Sequence, residues 1–253
     1  MKKLDPTYIS KFENLDYAAF KKMAVDPNLL PHEKVGFPTE YRQGKEPLIW
    51  QDIQSKLTNL NLPHKLILDI GPGCSDLPKI LLAHAQTKES KVILCDCQEM
   101  LSQLPNSLQI EKVEGPFPHC WHNLSKYLGA IDTILVYSVF HYVIGSQNRF
   151  TFFDRCLDSL AHQGQLLLGD LPNCSKRKRF FNSPAGIEFH KQYIGKDEMP
   201  DLSSPPNKES LDDFFLLSLI TRAQEKGFDA YILPQAKNLP MSNRRDDILI
   251  IRP

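Results

Sequence analysis

The chain has 253 residues, of which 42% are apolar, and this is enough to build one large α/β domain with additions. Lysine plus arginine number 30, as do aspartate plus glutamate, so the formal net charge is zero and gives no global attraction to nucleic acid or anionic membranes. The longest apolar runs, such as residues 214–220, are too short to span a bilayer, and the Met-Lys-Lys start leads into no apolar signal segment. We therefore expect a cytoplasmic protein with no membrane span.

The cysteine spacing favours free thiols. Six cysteines are present, and only Cys95 and Cys97 are close in sequence, so the spacing matches neither a zinc site nor a disulfide framework. We expect no metal site, and reduced thiols agree with a cytoplasmic location.

The chain divides into a short leading segment and one main domain. Residues 1–45 are predicted to form an N-terminal helical arm, and residues 46–253 the main domain. At the start of this domain, apolar residues recur at helical spacing and predict an amphipathic helix over about 46–60. These residues are Ile49, Trp50, Ile53, Leu57 and Leu60.

Apolar runs bounded by turn residues then alternate with helical patterns, and this alternation is typical of a parallel sheet covered by helices on both faces. Strands are predicted at about 65–70, 91–95, 108–113, 132–137, 165–170, 230–233 and 247–251. Helices are predicted at about 77–86, 151–160 and 210–226, with Asp76 as the N-cap of the first and a capping box of Ser210 and Asp213 beginning the last.

Residues 172–209 interrupt this alternation after the fifth strand. They contain the basic run Lys176-Arg177-Lys178-Arg179 and several prolines, among them Pro205 and Pro206. An insertion at this point overhangs the carboxyl ends of the strands, where open α/β sheets bind their ligands. We therefore predict a substrate lid.

Residues 66–78 hold the most informative motif. An apolar strand ends in Asp69-Ile-Gly71-Pro72-Gly73, and glycines at such a strand end let the backbone approach a ligand closely. A dinucleotide loop has a third glycine where this chain has Asp76, and no lysine or arginine is present to bind a pyrophosphate. The carboxylates of Asp69 and Asp76 favour a cationic or zwitterionic ligand instead, and S-adenosylmethionine has that charge.

A second acid follows at the spacing that an adenosine site requires. Asp96 ends the second predicted strand, about twenty residues after the glycine loop, where a carboxylate accepts both hydroxyls of a ribose. After the third strand, Glu114-Gly115-Pro116-Phe117 is a candidate for the edge and face of the adenine.

Together these residues resemble the class I S-adenosylmethionine-dependent methyltransferases over about residues 66–253. The resemblance implies a Rossmann-like, seven-stranded, mostly parallel sheet with helices on both faces and an antiparallel last strand. Many members have a glycine where this chain has Ser75. The candidate cofactor-binding residues are Asp69, Gly71, Pro72, Gly73, Asp96, Cys97, Gln98, Glu114, Gly115, Ser138, Val139 and Arg42.

The N-terminal residues suggest a kind of acceptor. Residues 33–38 and 41–46 are similar to bacterial methyltransferases encoded with surface-polysaccharide genes, which implies a small hydroxylated acceptor such as a sugar or nucleotide sugar. The arm either packs on the core or folds over the cofactor, and in the second case Arg42 is a candidate partner for the cofactor's carboxylate.

The fourth strand ends in Tyr137-Ser-Val-Phe-His141-Tyr and lacks the Asn/Asp-Pro-Pro-aromatic run that accompanies methylation of a base or amide nitrogen. Attack by a hydroxyl needs a base, and His141 and Asp170 are the candidates. His141 can equally be a packing residue beside the cofactor. The alternatives are an RNA methyltransferase that uses the basic run, with nucleic acid disfavoured by the neutral charge, and a non-catalytic binding module.

Overall fold

The structure, a computed structural model, describes residues 6–202 and 210–253. Pro205 and Pro206, on which part of the lid prediction depends, lie outside the described residues, as does the very start of the arm. Each strand forms where an apolar run was expected. The strands are β1 Leu66–Ile70, β2 Lys91–Asp96, β3 Ile110–Glu114, β4 Ile131–Tyr137, β5 Leu160–Pro172, β6 Asp229–Pro234 and β7 Arg245–Ile251.

These strands form one seven-stranded sheet in the order β3-β2-β1-β4-β5-β7-β6. The pairs from β3 through β5 are parallel, whereas β7 runs antiparallel to both β5 and β6. The predicted Rossmann-like sheet with an antiparallel last strand is therefore confirmed. The order reverses between β1 and β4, so a crevice opens above their carboxyl ends, where open α/β sheets bind ligands.

Helices flank the sheet, and further helices form the N-terminal arm and the insertion after β5. They are α1 Pro6–Ile9, α2 Tyr17–Val25, α3 Pro31–Lys34, α4 Thr39–Arg42, α5 Glu46–Lys56, α6 Asp76–Thr87, α7 Gln98–Leu101, α8 Trp121–Leu124, α9 Ser146–Ser159, α10 Cys174–Phe181, α11 Pro184–Ile194 and α12 Asp213–Glu225. Short 3₁₀ turns cover Ser10–Phe12, Thr58–Asn61, Ser125–Tyr127 and Phe140–Tyr142. No helix of the described chain is long and apolar enough to cross a membrane.

Two of the predicted helix starts were wrong. Asp76 is the first residue of α6, after Ser75 at the cap position, and the Asp76 carboxylate pairs with Lys79 instead of capping. Helix α12 is capped by Asp212, whose side chain accepts a hydrogen bond from the Phe215 amide, so the capping box at Ser210 does not form. In both cases several polar residues compete for the cap, and sequence spacing does not decide between them.

Alternate strand residues supply a separate apolar layer on each face of the sheet. Ile134 and Leu168 pack on one face in a cluster with residues of α9 and α12, whereas Leu135 and Leu167 pack on the other face with residues of α5 and α6. Burying one leucine side chain is worth about 1.5–3 kcal/mol, so these layers fix the positions of the strand ends. The functional residues are therefore placed on a rigid edge.

Candidate functional site

A cavity of about 630 Å³ lies above the carboxyl ends of β1, β2 and β4. Its floor is the glycine loop after β1, one wall is formed by the segments that follow β3 and β4, and the N-terminal arm covers it. The predicted cofactor residues that line it are Arg42, Asp69, Gly71, Pro72, Gly73, Asp96, Gly115, Ser138 and Val139.

The glycine loop needs both of its glycines. Gly71 and Gly73 have φ angles of +70° and +66°, a conformation that costs other residues about 1–2 kcal/mol. A Cβ atom at Gly71 would lie 2.5 Å from Val139 Cγ2, and one at Gly73 would lie 2.4 Å from Val35 Cγ1. The segment after β4 therefore packs against the loop from one side, and the arm packs against it from the other.

Two carboxylates face this loop without a cation beside them in the described chain. The Asp96 carboxylate accepts hydrogen bonds from the Gly73 amide at 2.9 Å and the Cys97 amide at 2.7 Å, and burial raises its pKa. Burial, followed by the nearby Asp96 charge, raises the pKa of Asp69 to about 8. A cationic group bound here would stabilise the charged form of both acids.

The wall opposite the loop is apolar and aromatic. Gly115, Pro116 and Phe117 line it after β3, together with Tyr142 after β4. Three predicted cofactor residues lie outside the lining. Glu114 and Gln98 are exposed, whereas Cys97 is buried and its amide donates to the Asp96 carboxylate. A flat aromatic ring fits between these surfaces, because offset and edge-to-face contacts are available from several sides.

The arm covers the cavity, as in the second alternative given for it above, with side chains that no sequence motif singled out. Tyr17, Phe20, Val35 and Phe37 all line the cavity, and the Phe20 ring packs edge-on against Tyr142 with centroids 4.9 Å apart. The only sequence signal for this cover is the recurrence of aromatic residues within the arm, which does not specify what they contact.

Arg42 reaches the cavity from the end of the arm. Its guanidinium lies over the rings of Phe37 and Tyr137, at 4.7 and 5.6 Å from their centroids, and its Nε is 3.6 Å from Glu46 Oε1. This side chain is 5% exposed, and its buried Nε has no hydrogen-bond partner within the described residues. An orphaned guanidinium N–H beside a cavity is suited to a carboxylate ligand.

The ends of β4 and β5 carry a buried polar network. Ser138 and Asp170 both have φ of +60°, and Ser138 Oγ donates to Asp170 Oδ2 at 2.6 Å. Arg245 Nη1 donates to the same oxygen at 2.7 Å. The Asp170 amide donates to Asp247 Oδ1 at 2.8 Å, and Lys56 Nζ lies 2.8 Å from Asp247 Oδ2. Each of these carboxylates therefore has a cation of the chain beside it.

His141, the other predicted base, lies outside the cavity lining, in the 3₁₀ turn after β4. Its Nδ1 is buried and has no hydrogen-bond partner among the described residues. Burial, together with the charges of Arg245 and Arg149, lowers the pKa of His141 to about 3. The ring is consequently neutral near pH 7.

A second, much smaller cavity of about 10 Å³ lies beside Asp170 and Arg245. Phe37, Arg42 and Tyr137 line both cavities. Its volume matches about one water. The carboxyl edge of the sheet is therefore open above β1, β2 and β4 and nearly closed above β5 and β7.

The insertion forms two helices, α10 and α11, which we call the lid after the prediction made from the sequence. Tyr193 of the lid forms a hydroxyl–hydroxyl contact of 3.2 Å with Tyr41 of the arm. Two residues of the predicted basic run are used within the protein, since Lys176 pairs with Asp246 and Arg179 with Asp213.

The sheet order, the antiparallel β7 and the glycine loop after β1 define the class I methyltransferase fold, and comparisons with solved structures agree. The chain is similar to the plantazolicin methyltransferase BpumL in complex with a triazolic desmethylPZN analog and S-adenosylhomocysteine (13% identity, TM-score 0.59, 97% of each chain covered). It is also similar to the CurJ carbon methyltransferase (13%, TM-score 0.56, covering 98% of this chain and 67% of that one). A third similar structure is the methyltransferase domain of bacterial CtHen1 (12%, TM-score 0.51, 81% and 98%). No family model and no curated protein sequence matches the chain.

Proposed function

We propose that this protein is an S-adenosylmethionine-dependent methyltransferase that acts on a small hydroxylated acceptor, a sugar or nucleotide sugar. The observation that carries the proposal is the pair of carboxylates, Asp69 and Asp96, which face a glycine loop without a neutralising cation among the described residues. Two such carboxylates suit a ligand that has both a positive charge and the hydroxyl groups of a ribose. The related fold of BpumL, solved with S-adenosylhomocysteine, supports the same ligand.

Each part of the cavity offers a contact for one part of that cofactor. Asp96 would accept the ribose hydroxyls, and the wall at Gly115 to Phe117 would hold the adenine. Asp69 would face the positive charge, and the Arg42 guanidinium, which lines the cavity, would bind the carboxylate. Because Gly71 and Gly73 have no Cβ atoms, Val139 and Val35 can pack against the loop and narrow the cavity beside it.

S-adenosylmethionine, when bound, supplies an electrophilic methyl group on a sulfonium. The protein has to align the acceptor oxygen, exclude water and take up a proton, and alignment alone is worth about 7–11 kcal/mol. The arm excludes water above the cavity. Asp170 borders the smaller cavity and is held by Ser138 and Arg245, so it is the better placed base. Neutral His141 is the second candidate, farther from both cavities, because it lines neither of them.

Binding of S-adenosylhomocysteine, followed by calorimetry, tests the cofactor assignment. Asp96→Ala should weaken binding at least about 100-fold, because charge-assisted hydrogen bonds to two hydroxyls are lost at roughly 1.5–3 kcal/mol each. Asp229→Ala removes an exposed carboxylate at the start of β6 and should leave the affinity unchanged. Equal affinity of the two variants would remove the ribose assignment, and failure of the wild-type protein to bind would remove the proposed function.

Transfer of a labelled methyl group from S-adenosylmethionine to nucleotide sugars and free sugars tests the reaction. We expect a labelled, alkali-stable product, as an ether is, and loss of labelling in Asp170→Asn. A protein that binds the cofactor product but labels no acceptor in cell-extract metabolites would instead be a non-catalytic module.

A further inference from the structure

Two arginines, one on the lid and one just before β7, contact the same aromatic ring and have no counter-charge among the described residues. Arg177 on α10 and Arg244, just before β7, both contact the ring of Phe181, with guanidinium carbons 5.2 and 6.0 Å from its centroid. Neither forms an ion pair with a carboxylate in the described part of the chain, and Arg244 Nη1 donates only to Asn243 Oδ1, at 3.2 Å. Three nearby cations, in contrast, are paired with acids: Lys176 with Asp246, Arg179 with Asp213 and Arg245 with Asp170. Lys178 also has no ion pair among the described residues, but it contacts no ring of the lid there.

The surroundings of Arg244 favour an anion. Burial, together with the charges of Arg245 and Arg177, lowers the pKa of Arg244, which means that the site penalises its positive charge. An anionic ligand between the two guanidiniums would offset that repulsion. Guanidinium groups bind phosphate oxygens through two parallel hydrogen bonds, so Arg177 and Arg244 are suited to a phosphate group.

Aromatic rings extend from this pair along the lid. The rings of Phe181 and Phe189 have centroids 6.3 Å apart, and those of Phe189 and Tyr193 are also 6.3 Å apart and nearly parallel, at 8°. All three side chains are partly exposed. A planar base can stack on such rings, and stacking depends little on which base is present.

Side chains near Arg244 connect it with the residues that line the cofactor cavity. Arg244 influences the pKa of Tyr41, and the Tyr41 hydroxyl contacts Tyr193 of the lid. Tyr41 also borders the smaller cavity together with Arg42, and Arg42 lines the cofactor cavity as well. Tyr41 and Arg42 thus lie between the surroundings of Arg244 and the cofactor cavity.

We propose that Arg177 and Arg244 bind the diphosphate of a nucleotide-sugar acceptor. The base would stack on the lid rings, and the sugar would extend past Tyr41 toward the cofactor cavity once the Tyr41–Tyr193 contact opens. This inference rests on the proposed function and selects the nucleotide sugar over an uncharged sugar. It also assigns the anion to these two arginines and not to the whole basic run.

The test is binding of uridine diphosphate, uridine and pyrophosphate to protein saturated with S-adenosylhomocysteine, followed by ligand-observed NMR. We expect uridine diphosphate to bind at least about tenfold more tightly than either of the other two. Arg177→Gln and Arg244→Gln should each weaken it roughly tenfold. Lys178→Gln, which removes an exposed cation from the same helix, should change it less than about twofold.

Equal binding of uridine diphosphate and uridine, or equal effects of the two arginine variants and Lys178→Gln, would overturn the proposal. Pyrophosphate binding as tightly as uridine diphosphate would overturn the part assigned to the rings. If circular dichroism shows that Arg244→Gln does not fold, the binding measured for Arg177→Gln decides, because Arg177 is exposed. Binding of S-adenosylhomocysteine without uridine diphosphate would refute only this inference, whereas absence of S-adenosylhomocysteine binding would refute the proposed function.

Discussion

The two halves of the sheet's carboxyl edge treat buried carboxylates in opposite ways. Above β1 and β2, Asp69 and Asp96 face a cavity of about 630 Å³ and have no cation beside them among the described residues. Above β5 and β7, Asp170 and Asp247 are paired with Arg245 and Lys56, and the cavity there is about 10 Å³. The first half leaves its negative charge for a ligand to neutralise, whereas the second half neutralises its own. Cofactor binding is therefore expected in the first.

The largest effect on the free energy of unfolding should follow from removing a cation that neutralises the carboxylates near β5 and β7. In Lys56→Met, Asp52 and Asp247 lose their shared cation, and removing one partner of a buried ion pair costs about 3–5 kcal/mol. Urea denaturation should show this loss. Lys79→Met breaks the exposed pair with Asp76 and should cost about 0–1 kcal/mol. A small loss for both would mean that the network contributes little to the folded state.

The next effect concerns the contact between the arm and the glycine loop, next to the larger cavity. Gly73→Ala places a side chain at positive φ and against Val35, so we expect a loss of about 2–4 kcal/mol in the free energy of unfolding. Gly195→Ala has a similar φ of +69° but no atom within 4 Å of its Cβ, and should lose only about 1 kcal/mol.

The double variant Val35→Ala/Gly73→Ala should recover part of that loss, because the contact is removed from the other side. No recovery in this cycle would show that the arm does not close on the glycine loop.

A smaller effect is the pH dependence of the open half. Burial raises the pKa of Asp69 to about 8, so the folded protein holds a proton there that the unfolded chain releases above about pH 4. This group therefore lowers stability as the pH rises from about 4 to 8. A cationic ligand displaces the proton, so affinity for S-adenosylmethionine, whose sulfonium is positively charged, should rise with pH by at most about tenfold per unit up to pH 8. In Asp69→Asn, calorimetry should show a smaller slope, and an unchanged slope would mean that another group causes the pH dependence.

The smallest effect concerns the contact between the arm and the lid. Tyr41→Phe removes the hydroxyl contact with Tyr193, a loss of about 0.5–1.5 kcal/mol. Amide hydrogen exchange in α11 should become faster, while exchange in α6 should not change. Tyr231→Phe, at an exposed position of β6, is the control. Unchanged exchange in α11 would mean that other contacts hold the lid.

The fold could be predicted because its signals are local in sequence. Apolar runs gave every strand, and the spacing from Gly73 to Asp96 follows from one strand–helix–strand unit. The arm and the network depend on contacts between distant residues, such as Val35 with Gly73 and Lys56 with Asp247, and no short pattern specifies such pairs. The basic run was also uninformative, because ion pairing within the fold decides which of its members are available.

The cover formed by the arm also affects the time for which a ligand stays bound. Phe20 rests on Tyr142, the Gln103 amide group donates to the Ala24 carbonyl at 2.7 Å, and Val35 closes on Gly73. A bound molecule can leave the cavity only after contacts of this kind break. We therefore expect the dissociation rate of the cofactor product to be set by opening of the arm, so that turnover would be limited by release and not by methyl transfer.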